Sequence, residues 1–177
     1  VIPATALDPG LDPDTSLPKW FSARRMATFE GKGLNPVGIK AFLKAQVLVT
    51  RGDRAGAERA AGGAVEAEGR LVDARRLLAE LLMGRKDYEA ADAQYLEILK
   101  VSPDDILSLN NLAFNLAERL GRPQEALPYA QRAYTLGGRA APVADTLGWV
   151  YSLLGDNDQA IALLGPAAIA APREPSI

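Results

Sequence analysis

The chain has no cysteine and no histidine. Together the two absences remove thiol nucleophiles, disulfides, imidazole bases and the common nitrogen- and sulfur-ligated metal sites. Most familiar catalytic constellations cannot be assembled from what is left, so neither a cofactor nor a metal is expected. Charge of one sign is also lacking: 20 Lys and Arg stand against 22 Asp and Glu, which gives no basic field for nucleic acid and no acidic one for a basic partner overall. No apolar run approaches the roughly 18 residues of a membrane span. The opening "VIPAT" has no initiator methionine and no charged segment leading into an apolar one, and reads as the start of a trimmed piece of something longer. Lack of cysteine does not choose between a reduced cytosol and an oxidising envelope.

Hydrophobic residues make up 48% of the 177 residues, enough for a real core. Their arrangement repeats. Ala45, Ala79, Ala113 and Gly148 form a column with spacings of 34, 34 and 35 residues, and Leu48, Leu82, Leu116 and Tyr151 follow three positions later. A further column, Ala57, Ala91, Ala126 and Ala160, is spaced 34, 35 and 34, and Ala64, Ile98, Ala133 and Ala167 keep the same offsets. One extra residue therefore sits between Leu116 and Ala126. Gly69, Pro103, Gly138 and Pro172 punctuate the ends of the copies. Each copy holds two helical patterns, apolar at i, i+3, i+4 and i+7, around a polar turn such as "RGDR", "GRKD", "LGRP" or "LGDN". Small residues allow two helices to cross closely, and large ones such as Leu82, Tyr95, Leu116, Tyr151 and Leu164 fill the space between hairpins. A lone hairpin cannot bury both faces, so the copies must stack.

These columns resemble the tetratricopeptide repeat (TPR), W-x2-L-G-x2-Y, then A-x3-F, then A and P, over about 34 residues. The fourth copy matches best, with Ala144, Leu147, Gly148 and Tyr151, then Ala160, Leu164, Ala167 and Pro172. The second has Leu78, Ala79, Leu82, Ala91, Tyr95 and Pro103, and the third Leu109, Leu112, Ala113 and Leu116, while the first carries Lys44 where leucine is expected. The resemblance covers residues 38 to 172 and implies an all-α, right-handed solenoid of antiparallel helix pairs. The expected organisation is an extended arm at 1–18, an N-terminal helix at 19–36 acting as cap or half-repeat, repeats at 37–70, 71–105 and 106–140, and a fourth repeat with tail at 141–177. For the arm, a linker and a segment packed on the solenoid both stay open; Trp20, Ala23, Ala27 and Phe29 would cover the first repeat. Pro128 and the pair Gly165-Pro166 are expected to kink or shorten their helices.

In TPR arrays the first helices of successive pairs line a concave groove, with repeat positions 2, 5, 6 and 9 facing it. Carried onto this sequence by resemblance, the groove residues are Phe42 and Gln46, Arg76 and Glu80, Asn110, Asn111 and Phe114, and Asp145, Thr146 and Trp149. Trp149 reads either as an aromatic platform for a ligand or as packing against a neighbouring helix. Asn110 and Asn111 read equally as solvated helix surface. The Lys and Asn clamp by which some TPR proteins grip chaperone tails is absent, since its position-9 column here is Gln46, Glu80, Phe114 and Trp149.

Other motifs fall away. "DNDQ" at 156–159 opens like a calcium loop, but Ile161 and Ala167 stand where Gly and Glu are needed. "GKG" at 31–33 lacks the rest of a phosphate loop, and Asp104-Asp105 suits a helix start. The expected function is a non-enzymatic scaffold that binds a protein or peptide in its groove. Two alternatives are a targeting segment of a larger enzyme, such as a glycosyltransferase, and an array that self-associates through its C-terminal hairpin. The "DTLGWVY" stretch also resembles bacterial TPR proteins of envelope assembly and polysaccharide export, which leans localisation towards the cell envelope.

Overall fold

The computed structural model describes residues 33–138 and 140–170, with the side chains of 165–170 left out of the description. The expected arm and N-terminal helix, with Trp20, Ala23, Ala27 and Phe29, lie outside the described residues, apart from the last few positions of the helix. Among the described residues eight α-helices follow in order: α1 Pro36–Thr50, α2 Arg54–Ala67, α3 Val72–Gly84, α4 Tyr88–Val101, α5 Ile106–Phe114, α6 Pro123–Gly137, α7 Ala141–Leu154 and α8 Asn157–Ala170. Among the described residues there is no strand. The chain divides into two compact units, Val1–Lys86 and Asp87–Ile177.

Side chains set the helix starts. Asn35 accepts from the Val37 amide at 3.0 Å, Asp53 from Gly56 at 2.8 Å and Asp105 from Ser108 at 2.8 Å, each satisfying a donor that the first turn leaves unpaired. The Arg70 guanidinium, with the amides of Asn35 and Arg70, holds the Glu68 carboxyl down to about 2. Arg70 also donates to the Gly33 carbonyl at 3.0 Å and the Asn35 side chain to the Ala67 carbonyl at 3.1 Å, so the entrance to α1 is tied to the end of α2.

In the first unit α1 packs on α2 and α2 on α3. Its core holds Phe42, Ala64, Leu71 and Ala74, flanked by Leu34, Ala41, Val65 and Leu77. In the second, α5 packs on α6, α6 on α7 and α7 on α8, and α5 also meets α7 directly. Leu109, Ala133 and Val143 bring α5, α6 and α7 together there. The repeat columns are this core: Ala45, Ala79 and Ala113 are fully buried, as are Ala57, Ala91, Ala126, Ala64, Ile98 and Ala133. At Gly148 a Cβ would lie 2.7 Å from Leu164 Cγ, which is why the column narrows to glycine where α7 crosses α8.

The expected interruptions do not shorten the helices. α6 runs through Pro128 and α8 through Gly165-Pro166. Pro128 removes one amide, but it and Gln124, whose carbonyl loses that bond, are exposed, while Ala126, Ala130 and Ala133 are buried on the opposite face. Burial along the stripe outweighs one bond handed to water.

The turns within the pairs share one backbone state. Gly52, Gly121 and Gly155 have φ of 79°, 64° and 81°, and Lys86 occupies the equivalent place at 68°. A side chain there is strained by about 1–2 kcal/mol, partly offset by the greater freedom glycine loses on folding. Lys86→Gly is expected to stabilise the protein by about 0.5–1 kcal/mol, read as a higher melting temperature.

One departure from regularity has a clear origin. Helix α5 does not end in a simple turn but continues as a π-turn over Asn115–Arg119, in which the Leu120 amide reaches back to the Asn115 carbonyl at 3.1 Å. Its looser winding takes up a residue without breaking the helix. The extra residue between Leu116 and Ala126 falls at this turn, and the columns on either side keep their places in the core.

Candidate functional site

The first helices of the expected repeats are α1, α3, α5 and α7, and the proposed groove residues divide between the two units. In the first, Phe42 is 4% exposed and packed against α2 and α3. Its assignment to a ligand-facing surface is corrected: Leu71 and Ala74, with Leu34 and Leu77 beside them, close over the ring, and an apolar ring gains more there than in water. Gln46 is half-buried and Glu80 exposed. Arg76 is half-buried and bonds Asp73 at 2.9 Å within its own helix.

In the second unit Thr146 is likewise corrected. It is buried and donates its hydroxyl to the Pro142 carbonyl one turn back at 3.0 Å. Asn111 is half-buried and directed at α4, its amide 3.4 Å from the Tyr95 hydroxyl. The other four lie along two stripes of side chains four residues apart. On α5 and its π-turn, Asn110, Phe114 and Glu118 follow one another; on α7, Asp145 and Trp149 do. Asn110 and Phe114 are half-buried, and Asp145 and Glu118 are exposed. The Asn110 Oδ1 atom is buried without a hydrogen-bond partner among the described residues.

Trp149 is neither a core residue nor loose on the surface. It is 40% exposed, and its indole Nε1 donates to Glu118 Oε2 at 2.8 Å. The residue after Glu118, Arg119, places its guanidinium 5.6 Å from the centroid of the Phe114 ring, within cation–π range. The π-turn thus supplies one residue to each aromatic: Glu118 fixes Trp149 and Arg119 covers Phe114. Sequence reasoning missed both, although the extra residue between Leu116 and Ala126 marked the place.

It also missed a buried polar pair, Asn115 and Asp92, that begins one residue after Phe114. Asn115 is fully buried, and its amide donates to Asp92 Oδ1 at 2.5 Å and to the Tyr88 carbonyl at 3.0 Å. Burial pushes the Asp92 carboxyl up from 3.8 to about 6, against the Asn115 hydrogen bond and the Arg122 charge, which pull it down. A signal existed: Asn115 stands in a column whose other members are Val47, Leu81 and Val150. Amide in place of hydrocarbon at a core position implies a polar partner nearby.

No protein-family model and no curated protein matches the chain. Solved structures do. YrrB, a TPR protein with an unusual peptide-binding site, superposes with a TM-score of 0.68 at 19% identity over 82% of this chain and 74% of its own. MamA is similar in two structures, with TM-scores of 0.68 and 0.65 at 14% identity, covering 86% and 85% of this chain and 97% and 87% of those chains. Likeness at that identity establishes the fold. The chain has the all-α fold of TPR structures, built from the helix pairs of an α-solenoid.

Proposed function

We infer that the chain is a non-enzymatic interaction scaffold that binds a peptide or protein partner on the face formed within the second unit by α5 and α7, the first helices of the repeats taken as 106–140 and 141–177. The observation that carries this reading is Trp149. A large aromatic 40% exposed, yet fixed through its indole nitrogen by a carboxylate of the preceding repeat, is a rigid platform of the kind that dominates binding hot spots. Phe114, with Arg119 over its ring, extends the platform. The likeness to YrrB supports a peptide as the ligand class.

The test is a selection of random twelve-residue peptides against the whole chain. Peptides that bind the wild-type protein should lose about tenfold or more in affinity for Trp149→Ala, a difference of about 1.4 kcal/mol. The melting temperature should move by only a few degrees, because an exposed ring contributes little to the core. Failure to select any Trp149-dependent binder would remove the reading.

A further inference from the structure

We propose that the surface between α5 and α7 in the second unit recognises a positively charged side chain of the partner, an arginine or lysine seated on the Trp149 ring between Asp145 and Glu118. The proposal rests on the scaffold reading above and names the chemistry of its ligand. Three observations point to a cation. Asp145 lies one helical turn before Trp149 on the same exposed stripe, and Glu118 touches the indole nitrogen, so two carboxylates belong to the surface that carries the ring. Neither carboxylate is paired with a cation among the described residues. The hydrogen bond from the indole to Glu118 also adds electron density to the ring, and tryptophan is the aromatic side chain that binds cations best.

The neighbouring pair supplies an internal precedent. Arg119 already places a guanidinium over Phe114, whereas the Trp149 face carries no cation among the described residues. The surface's own positive groups are engaged: Arg119 with Phe114, and Arg122 with both oxygens of Glu125 at 2.6 and 2.5 Å. What remains open is acceptors, namely the exposed carboxylates of Asp145 and Glu118. An acceptor-rich surface selects a donor-rich, cationic ligand, and a matching acidic one would meet like charge.

The same peptide selection tests this with a different readout. Binders that depend on Trp149 should be enriched in Arg or Lys, and replacing that residue by citrulline or norleucine should weaken them. Glu118→Gln keeps an oxygen for the indole hydrogen bond while removing the charge, and Asp145→Asn removes the second charge with little change of shape. Each should weaken a cationic binder about three- to tenfold, with the loss shrinking as salt is raised. Unchanged circular dichroism and melting of both variants keep the comparison clean. Trp149-dependent binders that are acidic or uncharged, or that ignore both substitutions, would overturn the proposal and leave the scaffold reading standing. Absence of any Trp149-dependent binder would overturn both.

Discussion

Phe42→Ala should destabilise the protein by about 3–5 kcal/mol, the range for emptying a buried aromatic site. The ring is packed on Ala64, Leu71 and Ala74, small or short side chains anchored on two further helices and the loop between them. They cannot collapse into the space, so the loss includes both the transfer of the ring and the cavity left behind. Phe42→Leu should recover most of it, because volume is largely kept. Urea unfolding followed by circular dichroism measures both. A loss below about 1 kcal/mol together with weakened peptide binding would instead return Phe42 to the ligand-facing surface.

The second large effect belongs to the buried pair of Asp92 and Asn115 and depends on pH. Asp92 has a folded value near 6 against an ordinary 3.8, so the folded state holds its proton more tightly than the unfolded one. The sign follows from linkage: stability from this group is greatest below pH 4, falls as pH rises through 4 to 6, and levels off above 7. Two units correspond to about 3 kcal/mol at most. Asn115→Ala removes the one side-chain donor to Asp92 among the described residues and should cost about 2–4 kcal/mol at pH 8, where the carboxylate is charged. The cost should be smaller at pH 5, where the site is mostly protonated. Asp92→Asn should abolish most of the pH dependence and be no less stable than the wild type at pH 8. Melting curves at the two pH values decide it, and an equal loss for Asn115→Ala at both would show that charge plays no part.

These two sites also mark how far the sequence could be read. Helix pairs, small-residue columns and turn positions were all legible, because each copy repeats the same packing problem and the answer is written four times. Ala45, Ala79 and Ala113 could be placed in the core without coordinates for that reason. Single-copy features were less accessible. Transferring groove positions by register placed Asp145 and Trp149 on exposed surface, but register describes where a backbone points and not what closes over it. Leu71 and Leu34, from outside the stretch 37–70, help bury Phe42, and Thr146 turns its hydroxyl onto its own helix. The π-turn left a trace as one surplus residue, yet spacing alone could not say whether a loop or a helix absorbed it.

The bond between Glu118 and Trp149 joins residues 31 positions apart, on different repeats. The orientation of the most prominent aromatic on the last repeat is therefore not a property of that repeat. Grafted onto another array, the hairpin would carry its tryptophan but leave behind the group that aims it. A module of this kind is portable only as a pair, and chimaeras cut between the third and fourth hairpins would keep their helices while losing the poise of the ring.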